Sequence, residues 1–279
     1  MKRKWKRALL GILRVAILAF FLLAVLAPLY WLLITSFKTN AEINSLQVSY
    51  WPHAFTTENY RKLFEVTNFS IYMRNSLIVT LATSVIVLIL SISGGYALAR
   101  YEFKGKKFVL IAFLVSQMIP TILLFIPMFI IFGKLKLNNT LQSLIILYTV
   151  FNTPFCLITL RGFFERIPVS LEEAARVDGC NKAQALIKII MPVLFPGIVA
   201  TFVFAFTGAW NELLAGIMFI NSNSLKTIPV AINAFIGKYS IDWGQMSAAC
   251  MIALIPTVIF FAIVQKYIVQ GLTQGAVKE

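Results

Sequence analysis

Charge is scarce in this sequence, and acid is scarcer than base. Only 13% of the 279 residues are charged, with 11 Asp and Glu against 25 Lys and Arg. Soluble domains are roughly a quarter charged and about half apolar. Here 59% is apolar, more hydrocarbon than a water-soluble fold of this length can hide. Cysteine and histidine are nearly missing. Cys156, Cys180 and Cys250 are too few and too scattered for a disulfide framework or a thiolate metal site, and His53 has no ligand partner at metal spacing. A phosphate-cradling loop, G-x-x-x-x-G-K-S/T, is also lacking. Its nearest approach, Gly105-Lys106-Lys107, has Arg100 in place of the first glycine and lysine in place of the hydroxyl. No acid-base or nucleophile constellation stands out in the polar connectors. The expectation is a chain that is not itself an enzyme and binds no cofactor or metal.

The apolar residues are gathered into blocks at about 9–36, 73–99, 108–132, 141–161, 193–220 and 247–269. Blocks of roughly 18 or more read as membrane spans, because a helix rising 1.5 Å per residue then crosses a hydrocarbon core of about 30 Å. Lipid offers the backbone no hydrogen-bond partner, so each span must be a helix. The fold expected is an all-α polytopic membrane protein with six transmembrane helices, residues 1–279 forming a single transmembrane domain without repeats or low-complexity segments. The basic start at Met1–Arg7 resembles a signal peptide, but the apolar stretch behind it is far longer than a secretory h-region. An uncleaved first span is expected.

The net charge of +14 would suit nucleic acid, but the basic residues form no single stripe with interleaved aromatics, so no nucleic-acid partner is expected. They sit in the connectors. Lys2, Arg3, Lys4, Lys6 and Arg7, then Arg100, Lys104, Lys106 and Lys107, then Arg161, Arg166, Arg176, Lys182 and Lys188 all fall on one side of a six-span layout. By the positive-inside rule that side is cytoplasmic, with both termini on it. The opposite side carries two longer segments, about 37–72 and 221–246, where Tyr50, Trp51, Tyr60, Tyr239 and Trp243 cluster as chain at a water interface does.

Several spans hold polar groups: Gln117 in the third, Asn152 in the fourth, Asn211 and Glu212 in the fifth. Hydrogen bonding between helices accounts for most of these. Glu212 differs, since a carboxylate at membrane depth is costly and usually faces a cavity or a partner. The sequence leaves two readings of Asn211 and Glu212 open, a pathway lining and an outer-end hydrogen-bonding group. In the second span Gly94 and Gly95 would let another backbone approach closely.

The connector at about 162–191 is the most structured part of the polar chain. Ser170 followed by Glu173 predicts a capping box and a helix from about Leu171 to Asp178. Asp178-Gly179 predicts its stop, Asn181 a cap for a second helix, and Pro192 the end of that helix. Leu171, Ala174, Ala175 and Gly179 would give the first helix a face of small side chains, with Glu172, Glu173 and Arg176 at its rim.

Glu173-Ala174-Ala175, Asp178-Gly179 and the apolar run through Ile189 to Pro192 and Pro196 resemble the EAA loop of binding-protein-dependent ABC importer permeases. Gly95-Tyr96-Ala97-Leu98-Ala99-Arg100-Tyr101, Trp210-Asn211-Glu212 and Gly271-Leu272-Thr273-Gln274-Gly275-Ala276-Val277-Lys278 are similar to the carbohydrate branch, and most to the maltose-permease G type. Cys180 stands where alanine is common, and Glu279 where glycine commonly ends the chain. The resemblance implies a type I importer permease fold in the bacterial inner membrane, moving a carbohydrate by alternating access. It implies that Glu172, Glu173, Ala174, Ala175, Asp178, Gly179 and Pro192 serve coupling to an ATPase. It also implies that Gln274, Gly275 and Ala276 touch the ATPase, and it makes Gln117, Asn152, Asn211 and Glu212 candidates for the pathway. The implied partners are a second permease in a heterodimer, an ATPase dimer holding ATP and Mg, and a solute-binding protein reached by the segment near 221–246. A non-sugar solute in the same architecture is the alternative. An ion-coupled carrier fits less well, because Glu212 is nearly alone as an intramembrane titratable group.

Overall fold

In the computed structural model, residues 2–237 and 241–273 are described, with side chains for 9–237 and 241–267. The described residues form helices α1 (Lys2–Ser36), α2 (Asn40–Ile43), α3 (Glu58–Glu65), α4 (Phe69–Arg100), α5 (Lys106–Ser116), α6 (Thr121–Lys134), α7 (Leu141–Arg166), α8 (Val169–Val177), α9 (Lys182–Ala185), α10 (Met191–Trp210), α11 (Leu214–Phe219), α12 (Ile228–Asn233) and α13 (Trp243–Thr273). A π turn, Leu186–Ile190, joins α9 to α10, and a 3-10 turn covers Asn223–Leu225. Among the described residues, five helices are long and apolar enough to cross a membrane, or up to six if one bent pair is a single span.

That bent pair departs from the sequence reading. The block at 108–132 is two helices, α5 and α6, meeting at 100° rather than one continuous helix. Pro120 explains the break: it has no N–H to continue the ladder, and it stands at the N-cap of α6 with ψ 119°. The block at 193–220 is likewise divided, with α10 ending at Trp210 and α11 starting at Leu214.

The chain divides into two compact units. The first comprises residues 1–68 and 232–256. At its centre is Asn59, whose amide donates to the carbonyls of Ser36 (2.9 Å) and Lys38 (2.9 Å), satisfying acceptors that the end of α1 leaves over. Gly244 of α13 lets the chain pass Asn59 closely, since a Cβ there would lie 2.5 Å from the Asn59 Oδ1. Lys38 is buried, donating to the Ser49 carbonyl and lying over the Trp31 ring. The Glu42 carboxylate accepts from the Ser49 hydroxyl and the His53 backbone N–H. Those bonds, the hydroxyl first, hold its pKa below the usual carboxylate value against a desolvation that raises it.

The second unit comprises residues 69–231 and 257–279. Its core is α4 laid along α7, with α10 against both. Half of the buried positions of α4 are small or bear an aliphatic hydroxyl: Ser76, Thr80, Thr83, Ser84, Ser91 and Gly95. In lipid there is no hydrophobic drive between helices, and association depends on close van der Waals approach. Gly95 provides it: a Cβ would sit 3.1 Å from the Arg161 backbone nitrogen and 3.4 Å from the Leu157 carbonyl oxygen. A Cβ at Gly94 would meet only the tip of the Leu157 side chain, at 2.6 Å. The approach predicted at this pair of glycines is present. Beyond it, Leu160, Phe164, Ile167, Ile190, Leu194 and Ile198 form a buried cluster joining α7 to the π turn and α10. At the far end Phe125, Phe132, Leu144, Leu147, Tyr148 and Phe219 form another.

The two glycines separate by what they touch. Gly95→Leu must push apart two backbones, and overpacking of this kind costs about 1–3 kcal/mol. The detergent-solubilised Gly95→Leu chain is expected to melt several degrees lower than the parent, by a thermal-shift or size-exclusion melt, whereas Gly94→Ala requires only a rotamer change at Leu157 and melts close to it. Equal melting of all three would refute the close-approach account.

Candidate functional site

The polar connector between α7 and α10 folds as a helix-turn-helix, although not with the caps expected. Pro168 is the N-cap of α8, entering with φ −58° and ψ 136°, and no side chain caps the helix. Ser170 is therefore already inside the first turn, and the Ser170–Glu173 capping box does not form. Proline is favoured at such an entry because its fixed φ suits it. The helix stop is as predicted. Gly179 has φ +87°, its N–H donates to the Arg176 carbonyl (3.1 Å), and the Cys180 N–H donates to that of Ala175 (2.9 Å). This pair of bonds is a Schellman closure, and it requires a left-handed residue at Gly179. Asn181 then caps α9 in a capping box with Gln184, both bonds at 2.9 Å.

Pro192 does not end the second helix, as the sequence suggested. The π turn carries the helix through it, the Met191 N–H reaching back five residues to the Leu186 carbonyl. A proline ring clashes with the carbonyl four residues before it and gives it no donor. One wider turn relieves the clash, so α9, the π turn and α10 run on as one apolar span, Lys182–Trp210. Pro192 itself is exposed at its start.

Around α8 the candidates divide by direction. Glu173, Ala174, Asp178 and Gly179 are exposed, as are Leu171 and Val177, the last at 88%. Ala175 faces inward at 6% exposure. Glu172, placed at the rim by the sequence reading, turns inward as well. Its Oε1 accepts from the Arg100 Nε at 2.5 Å and its Oε2 from the Tyr96 hydroxyl at 3.0 Å. The Arg100 Nη2 donates to the Ile167 carbonyl at 2.8 Å. Both side chains of the ion pair are largely shielded, 8% exposed for Arg100 and 13% for Glu172. Lys182 lies over the Tyr101 ring, 5.0 Å from its centroid. Tyr96 and Arg100 were missed as functional candidates. Their spacing of four residues places them on one face of α4, and Glu172 and Ala175 share a face of α8 in the same way.

The four pathway candidates do not come together as a set. Asn152 and Glu212 share a neighbour in Tyr148, which is 2% exposed: the Asn152 amide donates to its carbonyl (2.8 Å), and its phenol donates to the Glu212 Oε2 (3.0 Å). The Asn152 Oδ1 also fills the space beside Gly208, where a Cβ would stand 2.5 Å from it. The Glu212 carboxylate accepts the N–H groups of Ala215 (3.0 Å) and Gly216 (3.3 Å) as well. Those are orphan donors at the start of α11, which explains both why α10 and α11 part here and how a carboxylate is held at this depth. Asn211 is exposed, its amide donating to the Thr207 carbonyl. Gln117 lies apart, at the α5–α6 break, lining a cavity of about 710 Å³ with Ser116, Thr121, Thr149 and Thr153. Gln274, Gly275 and Ala276 lie outside the described residues. Among the described residues no three His, Cys, Asp or Glu side chains are grouped to hold a metal.

Residues 91–274 match the family model for the binding-protein-dependent transport system inner membrane component. The chain is 36% identical to the sulfoquinovosyl glycerol transport system permease protein of Agrobacterium fabrum over 91% of this chain and 89% of that one. It is 35% identical to the trehalose/maltose transport system permease protein of Thermococcus litoralis over 98% and 97%. Its fold is that of a chain of the bacterial ABC transporter involved in import of the acidic polysaccharide alginate, with a TM-score of 0.80 at 22% identity, covering 93% of this chain and 96% of that one. The EAA-like connector and the Tyr96 and Arg100 that grip it lie within the matched region, and the chain belongs to the family of binding-protein-dependent transport system inner membrane components.

Proposed function

We propose that this chain is the membrane permease subunit of an ATP-driven importer that takes up a carbohydrate. It acts as one transmembrane permease domain with both termini in the cytoplasm. ATP and Mg are bound by a separate ATPase dimer, a second permease completes a heterodimer, and a solute-binding protein delivers cargo from outside. The observation that carries the reading is the construction of α8. A short helix closed by a glycine turn exposes Leu171, Ala174, Val177 and Asp178 while its other face is tied to α4, as a docking element coupled to the spans must be. Lys and Arg concentrated on the side of this loop support the orientation. The sugar substrate is supported by the names of the relatives and by the motifs at Gly95–Tyr101 and Trp210–Glu212. Solute then passes by alternating access, driven by closure of the ATPases on the loop. A non-sugar solute is the outcome to test against. An ion-coupled carrier is disfavoured because Glu212 already has three partners, Tyr148, Ala215 and Gly216, on its carboxylate.

Purification of the chain from its native membrane in mild detergent tests the assembly: a second EAA-bearing permease and a nucleotide-binding ATPase are expected with it, and the associated binding protein is expected to bind a sugar. Recovery of the chain alone would overturn the reading. Gly179→Leu forces a branched side chain into the left-handed region at a cost of about 1–2 kcal/mol, opening the turn that shapes the exposed end of α8. Uptake is expected to fall at least roughly tenfold while the chain remains in the membrane by immunoblot, and normal uptake would contradict the coupling role. Glu212→Gln keeps the shape but removes the charge and one acceptor. Altered KM or maximal rate of uptake is expected, whereas unchanged kinetics would confine Glu212 to holding the start of α11.

A further inference from the structure

Among the described residues, the Arg100–Glu172 pair is the one ion pair that joins two different parts of the fold. The others, Arg61–Glu58, Arg61–Glu65, Lys62–Glu58, Lys106–Glu102 and Arg161–Glu165, are local pairs three or four residues apart, with at least one exposed partner. Arg100 ends α4. Its planar guanidinium holds α8 at two points, the carbonyl of Ile167 just before the helix and the carboxylate of Glu172 one turn into it. Tyr96, a turn earlier on α4, takes the second carboxylate oxygen. A fork of this kind fixes direction as well as distance. The helix cannot roll about its axis, or tilt away from α4, without breaking a shielded charged hydrogen bond. Upstream the chain reaches α8 through only Ile167 and Pro168, and downstream Lys182 is held over Tyr101, the residue after Arg100.

We infer that Arg100, Glu172 and Tyr96 form the mechanical link by which displacement of α8 is transmitted to α4, with Glu172 acting as a positioning residue inside the coupling loop rather than as part of its docking face. The inference rests on the proposed function and deepens it. It divides the adjacent acids by role: Glu173 is exposed and available to a partner, while Glu172 is committed to the permease itself. Because α4 lies along α7 and α10, with backbone contact at Gly95, a rotation delivered at Arg100 reaches the centre of this unit. Loss of the link leaves the ATPase docked but its stroke poorly delivered.

The test uses the complete importer in proteoliposomes with its binding protein, and reads three quantities for each variant: ATPase retained on purification, ATP hydrolysed, and solute moved per ATP. For Glu172→Ala and Arg100→Ala, ATPase retention close to wild type is expected, with solute moved per ATP reduced about tenfold. Tyr96→Phe keeps the ion pair and is expected to lose about two- to threefold. The charge swap, Arg100→Glu with Glu172→Arg, restores an ion pair in reverse order and is expected to recover part of the lost ratio, which a role in general stability would not produce. A ratio within about twofold of wild type in both alanine variants would overturn the link. ATPase lost in step with uptake would also overturn it, by making Glu172 a docking contact. Failure of the unmodified chain to retain any ATPase is read separately, and would overturn the functional reading together with the link.

Discussion

A peptide group in hydrocarbon has no water to turn to, and three departures from regular helix among the described residues are resolved by a nearby bond or by a local widening of the helix. At the α10–α11 junction the Glu212 carboxylate takes the N–H groups of Ala215 and Gly216. At Pro192 the helix widens into a π turn. At the end of α1 the amide of Asn59 takes two carbonyls. The same constraint sets how the helices meet. With no solvent to squeeze them together, α4 and α7 are held by the closeness that Gly95 allows, and by hydroxyl and small side chains along the rest of the seam.

The connector between α7 and α10 obeys different physics, because it is polar chain outside the apolar spans. Its first helix is defined by turn chemistry at one end, where Gly179 closes it, and by charge at the other, where Arg100 grips it. A loop element free to choose its own angle would absorb any push as local motion. This one is tethered at both ends by short chain and crossed by an ion pair, so its orientation is a property of the spans beneath it. That makes the loop a part of the bundle rather than an appendage to it.

Much of this was legible in sequence, and the reasons for the rest are physical. Apolar block length located the long apolar helices, since it measures hydrocarbon thickness. Asp178-Gly179 and Asn181 identified a stop and a cap, because those residue types answer local backbone needs. Local rules misled where a proline competed with them: Pro168 displaced the Ser170 cap, Pro120 divided a span that composition read as whole, and Pro192 was passed by a π turn that no residue type announces. The candidate site was half visible. Glu172 was found, but its direction depended on Arg100 and Tyr96, 72 and 76 residues away, and separation of that size is invisible to any local pattern. Tyr148 was hidden for the same reason: an aromatic in an apolar block looks like packing until its phenol is seen on Glu212.

The π turn between Leu186 and Ile190 carries one residue more than an α-helical turn would, and Pro192 is what makes the extra residue useful. In a relative with another residue at the position of Pro192, loss of one residue from this stretch would leave the buried faces of α9 and α10, Ala185 on one side and Leu194 and Ile198 on the other, in unchanged register. A one-residue gap there in an alignment would mark a change of helix type, with the geometry of the connector conserved across it.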